Sequence, residues 1–389
     1  MIATPVNNII ESSNMTIHPI EQSRLGEVDI NNAPFGKVFS DHMYMVDYED
    51  GKWKNAQILP YGKITVSPSM SALHYGQSIF EGLKAYKNSA GDPLLFRPWE
   101  NYKRMNASAH RMCMPEIPKE IFAEGLRELI SLDRDWIPTK EGTALYIRPF
   151  YFATDEYVGI RPSDNYKFMI FTCPVGAYYP DPVSLQVTAK YVRASEGGTG
   201  EAKAAGNYAS SLLASNEAKH AGYTNVLWLD GKNHRFVEEC GTMNVFFVID
   251  GVVITPKLTG SILRGTTRKA VIKLLRDQGY RVQIRLLPVD EIWEAYEDGK
   301  LEEAFGTGTA ATIAHVSRIA HDGTVDRIKD HPEMVLPPVS ERKVGPAILK
   351  LLDDIRNGNA EDKFDWVVKA QDLTPERLTR ISTSTVKER

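Results

Sequence analysis

The sequence lacks most features that mark secreted, membrane or nucleic-acid-binding proteins. Its three cysteines, Cys113, Cys173 and Cys240, lie far apart, so neither a disulfide framework nor a thiolate metal cluster is expected, and a reducing cytoplasm fits. No apolar run approaches the roughly 18 residues of a membrane helix. The 46 Lys and Arg residues are balanced by 50 Asp and Glu residues and form no basic block, which argues against nucleic acid and membrane partners. A small polar or zwitterionic molecule is therefore the expected partner.

Several catalytic motifs are also missing. The sequence has no GxxxxGK[ST] phosphate loop, no HExxH, no GxSxG elbow and no strand–GxGxxG–helix unit followed by an acidic residue. No two of its nine histidines are spaced as metal ligands, so no metal is expected. Cys240 has no histidine nearby in sequence and is more simply interpreted as a small buried residue than as a nucleophile.

The length of 389 residues predicts two or three domains. A stretch with two prolines, AYYPDPVSL, lacks periodicity and suggests a linker. The charged tail after Trp366 is expected to pack less well than the chain before it. The predicted division is a flexible lead-in at 1–25, a small N-terminal α/β domain at 26–178, a linker at 179–189 and a large C-terminal domain at 190–389.

The first half has the element order of an α+β domain. LFRPWENYKRM predicts a helix, because Pro98 suits a first turn and Trp99, Tyr102, Met105 and Ala109 recur at helical spacing. The other predicted elements are a strand at 64–68, a helical turn from Ser71 that runs into a strand, a helix at 117–132, and strands at 144–152 and 166–176.

The second half is predicted to be rich in hairpins. Asp-Gly pairs at 230–231 and 250–251 lie between strand-like runs, and this dipeptide supplies the positive φ angles that a two-residue hairpin turn needs. The clearest helix is TTRKAVIKLLRDQG at 266–279, with Gly279 as its stop. Further predictions are a strand in LQVTAKYVR, a helix from Asn207 to Gly222, a strand in RVQIRLL, a helix in VDEIWEAY, and a strand and turn in EEAFGTGTAATIA.

Lys203 is unusual because it stands among Ala, Gly and Ser in GEAKAAGNYASSL. A lone lysine is most often an exposed loop residue, and the alternative is a reactive amine that small neighbours allow close to a cofactor. Three other segments, ECGTMN, GTGTAA and LRGTT, add an acidic residue and turn or helix-end N–H groups that can bind anions. An amine, a carboxylate and anion-binding backbone together suit pyridoxal 5′-phosphate.

From about Phe35 to about Trp366 the sequence resembles the class IV pyridoxal-phosphate aminotransferases and, within them, the branched-chain amino acid aminotransferases. The resemblance implies an α+β, two-domain fold of the D-amino acid aminotransferase type, with a smaller N-terminal α/β domain, a larger C-terminal pseudobarrel-type domain and the cofactor between them. The motifs that carry it, in the family's order, are HYGQSIFEGLKAY, LFRPWENYKRM, ALYIRPF, CPVGAYYP, KAAGNYASSL, ECGTMNVF, LRGTTR and FGTGTAA.

The resemblance assigns the cofactor contacts residue by residue. Lys203 matches the Schiff-base lysine, which is also the catalytic acid and base. Tyr208 is similar to the tyrosine that bonds the phenolic oxygen of the cofactor, and Glu239 to the acid that faces the pyridine nitrogen. The further cofactor contacts that it implies are Arg104, Thr242, Thr266, Thr267 and Thr309.

The resemblance also implies the substrate contacts. Thr309 and Ala310 match the turn that receives the substrate α-carboxylate, and Arg148 matches a position where it could take the side-chain carboxylate of glutamate. Val158, Gly159 and Ile160 match a loop that reaches the pocket of a neighbouring subunit, so a homodimer is implied. The aromatic pocket for branched side chains is formed in the family by residues that match Phe35, Tyr75, Phe80, Tyr146 and Tyr178.

The implied reaction moves an amino group between L-leucine, L-isoleucine or L-valine and 2-oxoglutarate, with L-glutamate and the 2-oxo acids as the remaining partners. Two alternatives stay open on the sequence. One is a D-amino acid aminotransferase or aminodeoxychorismate lyase of the same fold, and the other is a catalytically silent paralogue that binds the cofactor. The presence of Lys203, Tyr208, Glu239 and Arg104 disfavours the silent paralogue.

Overall fold

The computed structural model describes residues 9–10, 15–176, 179 and 181–379, and these form two compact units. The first unit contains the described residues up to 176 together with 202–205 and 353–379. The second contains 179, 181–201 and 206–352. Segments 202–205 and 353–379 fall in the second domain of the predicted division, because they follow the predicted linker in the chain.

The first unit is built on a mostly antiparallel sheet of ten described strands. Thr16–Ile17 joins it parallel to Lys52–Pro60, and Ser78–Phe80 joins it antiparallel to Ala144–Ala153. Three long neighbouring strands lie at its centre, His42–Glu49, Ala144–Ala153 and Tyr166–Val175, and most of their side chains are buried whichever face of the sheet they lie on. The remaining strands follow the order Ile9–Ile10, Lys52–Pro60, His42–Glu49, Tyr166–Val175, Ala144–Ala153, Leu83–Lys87, Pro93–Phe96 and Val367–Lys369.

The helix Lys119–Leu132 packs on this sheet through an apolar face. A Cβ atom on its Gly125 would lie 2.2 Å from the ring of Tyr44, so glycine lets the helix approach the strand closely. Phe122 of the helix stacks near Phe168 of the sheet, with ring centroids 6.1 Å apart. The other described helices of this unit are Ser71–Tyr75, Pro98–Arg111 and Pro375–Leu378, with 3-10 turns at Leu25–Glu27, Arg134–Trp136 and Ala370–Asp372.

The second unit contains a sheet whose strands close on themselves. Six strands form a ring, because Val237–Cys240 pairs both with Asn225–Leu229 and with Met243–Ile249. Apolar side chains such as Leu185, Leu227 and Val316 fill its core. The order from Val237–Cys240 is Asn225–Leu229, Val183–Val187, Thr312–His321, Leu301–Gly308, Met243–Ile249, Val252–Pro256 and Arg281–Arg285, and Met334–Val335 pairs with Thr312–His321.

The helices of the second unit accompany this sheet. Trp293, on Val289–Glu297, is fully buried in the same core. The helix Val344–Arg356 begins in this unit, and the N–H groups of Val344 and Gly345 donate to the Glu303 carboxylate. The remaining described helices are Ala205–Ala209, which starts at the last residue of the first unit's short segment, Leu212–His220 and Thr266–Asp277, with a 3-10 turn at Val339–Glu341.

The mixture of sheets and helices confirms the predicted α+β class. Asp250 and Gly251 have φ angles of 48° and 70°, as a two-residue hairpin turn requires. The Asp230-Gly231 prediction is wrong in detail, because the connection runs from 230 to 236 and Asp230 accepts N–H groups from Arg235 and Phe236 across it. A helix from Asn207 to Gly222 is also wrong, since the helix breaks between Ala205–Ala209 and Leu212–His220.

Other predictions near the ends and the linker differ from the structure. Residues 64–68 form no strand. The predicted linker contains the strand Val183–Val187. Its two prolines, at 180 and 182, precede this strand in the sequence and leave the strand itself without proline. In the predicted lead-in, Arg24 donates its backbone N–H to Asp41. After Trp366, Leu373 and Leu378 are fully buried, so the described part of the tail packs against the first unit.

Two kinds of feature are absent from the described residues. No helix there combines the length and apolar character needed to cross a membrane. Nor do any three His, Cys, Asp or Glu side chains among them gather into a possible metal site.

Candidate active site

The helix Pro98–Arg111 of the first unit buries both an apolar and a polar face. Pro98 occupies its first turn, and the predicted stripe of Trp99, Tyr102, Met105 and Ala109 is buried. Asn101, Arg104 and Ser108 are buried as well, and their spacing of three and four residues places them on one side of the helix. This polar side faces Glu81 and the backbone of Lys203.

Lys203 is held through its backbone within the first unit. Its carbonyl accepts the N–H of Phe80 at 3.1 Å, and its own N–H donates to the Ser108 hydroxyl at 2.9 Å. Ala204 forms an isolated antiparallel bridge with Ile79. The side chain is half-buried, and its Nζ lies 4.9 Å from the centroid of the Phe80 ring. The structure therefore does not place Lys203 in an exposed loop.

Arg104 is held by a buried carboxylate that sequence reasoning missed. Its Nε donates to Oε1 of Glu81 at 2.6 Å and its Nη2 donates to Oε2 at 2.9 Å. Asn101 donates to the same Oε2 at 2.8 Å. Burial raises the pKa of Glu81, but Arg104, Lys203 and Asn101 together lower it by more, so the net pKa is lowered. Lys203 contributes to this lowering, so its charge acts on the same carboxylate.

Aromatic rings and one arginine form a second group in the first unit. Arg148 lies over the Phe80 ring at 4.5 Å and over the Tyr146 ring at 5.3 Å, and its Nη2 donates to the Tyr146 hydroxyl at 3.0 Å. Phe35 meets Tyr146 edge to face at 5.1 Å. The structure thus brings together Phe35, Phe80, Tyr146 and Arg148. Among the described residues, the buried Nε of Arg148 has no hydrogen-bond partner.

The remaining substrate-contact predictions in the first unit lie on exposed segments. Tyr75 ends the helix Ser71–Tyr75, is 42% exposed, and its ring contacts that of His74. Val158 and Ile160 are 67% and 93% exposed. Tyr178 lies outside the described residues.

Glu239 lies at the centre of the corresponding group in the second unit. It is almost completely buried, on the strand Val237–Cys240. Its Oε1 accepts the N–H of Leu263 at 2.8 Å and the Nδ2 of Asn244 at 3.1 Å. Its Oε2 lies 2.9 Å from Nε of Arg193, a distance that makes an ion pair although the N–H is not aimed at the oxygen. These partners stabilise the ionised form of a carboxyl group.

A helix end and a tight turn supply N–H groups in the same unit. The helix Thr266–Asp277 follows Gly265, which has no side chain to cap it, so the helix offers the positive end of its dipole. A Cβ atom on Gly265 would lie 1.9 Å from Oδ1 of Asn244, so this close approach requires glycine. Thr266 is half-buried and Thr267 is buried. Thr309 and Ala310 form the turn between Leu301–Gly308 and Thr312–His321.

The remaining predicted residues of the second unit have simple positions. Tyr208 is half-buried in the helix Ala205–Ala209. Thr242 is exposed in the turn after Gly241, between the two strands that pair Glu239 with Asn244. Cys240 is fully buried, and burial raises the pKa of its thiol, which agrees with the interpretation that it is a packed residue and not a nucleophile.

Glu238, next to Glu239, is a second buried carboxyl group. Its Oε1 accepts a hydrogen bond from the Ser261 hydroxyl, and its Oε2 is buried without a partner among the described residues. Burial is the main cause that raises the pKa of Glu238 to about 7, and the neighbouring Glu239 raises it further.

Residues of these groups that were not among the predicted site residues include Glu81, Ser108, Arg193 and Asn244. Glu81 and Asn244 lie inside motifs that signalled the family, HYGQSIFEGLKAY and ECGTMNVF, and a charged residue between apolar ones was the available signal for Glu81. Arg193 and Ser108 have no such signal, because their partners are distant in sequence.

Comparison with known proteins identifies the family. The family model described as amino-transferase class IV matches residues 78–319. Branched-chain-amino-acid aminotransferase 2 of Bacillus subtilis is 45% identical over an alignment of 354 residues, and the match covers 89% of this chain and 94% of that protein. The chain therefore belongs to the class IV aminotransferases and, within them, to the branched-chain-amino-acid aminotransferases.

Solved structures agree with this assignment. The branched-chain amino acid aminotransferase from Escherichia coli has a TM-score of 0.66 and 28% identity, over 84% of this chain and 98% of that chain. A second branched-chain amino acid aminotransferase, from the organism abbreviated T.th. and with pyridoxamine 5′-phosphate, has a TM-score of 0.69 and 27% identity, over 86% of this chain and all of that chain. The predicted class IV fold is therefore confirmed.

Proposed function

We propose that this protein is a transaminase that moves the α-amino group between L-leucine, L-isoleucine or L-valine and 2-oxoglutarate, with pyridoxal 5′-phosphate as cofactor. The observation that carries the proposal is the placement of Lys203. Its backbone is fixed by Phe80 and Ser108, and its half-buried side chain places the amine 4.9 Å from the centroid of the Phe80 ring. A fixed, partly desolvated amine is what covalent capture of an aldehyde requires.

The chemistry of the donor set fits pyridoxal phosphate. Lys203 offers the amine, Glu239 a buried carboxylate held by Arg193 and Leu263, and the helix that begins at Thr266 an end suited to phosphate. Arg104 adds a guanidinium group, which suits phosphate geometry. When bound, the cofactor supplies an aldehyde that takes up the amino group and a ring that withdraws electrons from the reacting carbon.

The residues of the chain then have separate tasks. Nζ of Lys203 accepts the α-proton of the amino acid and returns it, which requires that the amine be neutral at that moment. Glu239 keeps a proton on the pyridine nitrogen, and Arg193 and Asn244 hold Glu239 in place. Tyr208 donates to the phenolic oxygen, and Arg104, Thr242, Thr266, Thr267 and Thr309 contact the cofactor.

The substrate contacts explain how one enzyme accepts two kinds of side chain. Phe35, Phe80 and Tyr146 offer apolar ring surface for a branched aliphatic side chain. The guanidinium of Arg148 lies against two of these rings. One of its N–H groups can therefore donate to the side-chain carboxylate of glutamate when glutamate occupies the same pocket. The further substrate contacts that we propose are Tyr75, Val158, Ile160, Tyr178, Thr309 and Ala310.

The experiment compares Lys203→Ala with Lys219→Ala, which removes an exposed lysine of the helix Leu212–His220. Borohydride treatment of the wild-type holoenzyme should attach the cofactor covalently to the peptide that contains Lys203. Lys203→Ala should lose this label and all measurable transamination of L-leucine with 2-oxoglutarate, whereas Lys219→Ala should keep both.

Three outcomes would contradict the proposal. Undiminished turnover by Lys203→Ala would remove Lys203 from the chemistry. Activity on D-alanine with none on L-leucine would favour the D-amino acid enzyme of the same fold. Failure of the wild-type protein to bind pyridoxal phosphate would contradict the cofactor assignment.

We also infer that the protein acts as a homodimer. Tyr157, Val158 and Ile160 expose apolar surface on one short loop, and exposed apolar patches mark interaction sites. Light scattering should give a mass near twice 43.6 kDa for the wild-type protein. Val158→Asp and Ile160→Asp should lower the mass toward that of one chain, and an unchanged mass would separate this loop from the interface.

We infer a cytoplasmic location as well. Cys113 is an exposed free thiol, and such thiols persist in reducing compartments. Cell fractionation with an antibody to the protein should recover it with cytoplasmic markers, and recovery from an oxidising compartment would contradict this inference.

A further inference from the structure

Glu81 is a completely buried carboxylate that no part of the proposed chemistry yet uses. Arg104 donates two hydrogen bonds to it, and Asn101 and the N–H of Gly82 donate one each. We propose that Glu81 is a positioning residue that orients the guanidinium of Arg104 for the phosphate group of the cofactor. The inference rests on the proposed function, since it assumes that Arg104 contacts this phosphate.

The local structure fixes Glu81 before it meets Arg104. Glu81 stands between the strands Ser78–Phe80 and Leu83–Lys87, and its N–H donates to the carbonyl of Pro149 at 2.8 Å. Asn101 donates to the carbonyl of Gly82 at 3.0 Å as well as to the Glu81 carboxylate. The backbone at Glu81 is thus held by the sheet, and its carboxylate is held by the helix through Asn101, so Glu81 can act as a fixed reference for a long arginine side chain.

The way in which Arg104 is held determines its orientation. Glu81 binds the edge formed by Nε and Nη2 of the guanidinium. A guanidinium is planar and presents five N–H donors in a rigid fork. Once one edge is fixed in two places, the direction of Nη1 is fixed too. A phosphate therefore meets a donor that is already oriented, and the entropic cost of ordering a long side chain is not incurred on binding.

A purely structural ion pair would give different results, and the same helix provides one for comparison. Arg97 and Glu100 are both buried, and their charged atoms lie 3.5 Å apart. Glu100→Gln therefore removes a buried charge from the same helix, at a carboxylate that pairs with Arg97. It is the matched control for Glu81→Gln, which keeps the shape of the side chain but removes its charge.

The experiment measures the dissociation constants of pyridoxal 5′-phosphate and of pyridoxal, which lacks the phosphate, for the apo forms of the full-length variants. We expect Glu81→Gln to raise the dissociation constant of pyridoxal phosphate by about tenfold to a hundredfold, the range of a lost charge-assisted hydrogen bond. Pyridoxal should change less than about twofold. Glu100→Gln should leave the ratio of the two constants as in the wild type.

Glu81→Asp is a second variant in case Glu81→Gln does not fold. It keeps the charge but withdraws it by one methylene, so it should also weaken pyridoxal phosphate more than pyridoxal. An equal loss of affinity for both ligands, or unchanged affinity for both, would overturn the role of Glu81 while leaving the proposed function intact. If the wild-type protein binds pyridoxal phosphate no better than pyridoxal, the proposed phosphate site falls, and the role of Glu81 falls with it.

Discussion

Oε2 of Glu239 lies 2.9 Å from Nε of Arg193, while Oε1 of the same carboxylate accepts two hydrogen bonds. Both oxygens are thus occupied by groups that favour a negative charge. A carboxylate held in this way has its orientation determined before any ligand arrives.

Glu239→Gln should reduce turnover more than cofactor affinity. The variant keeps the shape of the side chain but cannot hold a proton on the pyridine nitrogen, so the electrostatic stabilisation of the reaction is lost. We expect kcat for L-leucine to fall by about a hundredfold or more. Glu302→Gln, which removes an exposed carboxylate of the same unit, is the control. A loss of less than about fivefold for Glu239→Gln would contradict the assigned role.

Glu238→Gln should change how stability depends on pH. The pKa of Glu238 in the folded protein is about 7, against an ordinary value of 4.5, so the folded state binds its proton more tightly than the unfolded state. The contribution of protonated Glu238 to the free energy of unfolding is therefore fully present below about pH 4.5 and is lost as the pH rises to about 7. The variant, which resembles the protonated form, does not undergo this loss.

The advantage of Glu238→Gln over the wild type should consequently grow between pH 5 and pH 7 and then level off, at about 2 to 3 kcal/mol. Thermal unfolding of the apo protein across this range measures it. If the stability difference between the wild type and Glu238→Gln were the same at every pH, Glu238 would not change its charge on unfolding.

Arg148→Met should separate the two classes of substrate. Methionine keeps an apolar stem against Phe80 and Tyr146 but removes the charge, so KM for L-glutamate should rise by about tenfold to a hundredfold. KM for L-leucine should change less than about threefold. Arg318→Met removes an arginine that lies on the Tyr223 ring elsewhere, and it should affect neither substrate. Equal changes for both substrates would contradict the assignment of Arg148.

Gly265→Ala should disturb Glu239 without touching it. The new methyl group would lie 1.9 Å from Oδ1 of Asn244, whose Nδ2 donates to Glu239. Because φ at Gly265 is −61°, alanine is strained only by lack of space. We expect a stability loss of about 1 to 3 kcal/mol together with a lower kcat.

Gly26→Ala is the matched control for this change, since a Cβ atom at Gly26 meets nothing within 4 Å. Denaturant unfolding and steady-state kinetics with L-leucine measure both effects. If Gly265→Ala behaved like Gly26→Ala, the close approach to Asn244 would not limit the residue at this position.

The local elements could be predicted where periodicity and end signals agreed. Thr266–Asp277 and the Asp250-Gly251 hairpin were found because apolar spacing and turn residues pointed to the same structure. The strand predicted at 64–68 was wrong, because β-branched residues favour a strand only where a neighbouring strand pairs with them. The predicted helix from Asn207 failed because Ser210 and Ser211 interrupt it, and both donate hydroxyl protons to backbone carbonyls of the preceding turn.

The candidate site could be predicted only as far as the family motifs extended. The sequence pointed to Lys203, Arg104 and Glu239, but not to the groups that hold them. Ser108 meets Lys203 across 95 positions of the chain, and Arg193 meets Glu239 across 46. Such pairings depend on the tertiary fold, and single-sequence patterns describe only local spacing.

The short segment 202–205 has a consequence for dissecting this protein. It belongs to the first unit, although the chain on either side of it belongs to the second. A gene cut after residue 178 would therefore give an amino-terminal fragment without the peptide that pairs with Phe80, and a carboxyl-terminal fragment in which Lys203 lacks that partner. Reconstitution from two separately expressed halves would have to thread this peptide back into place.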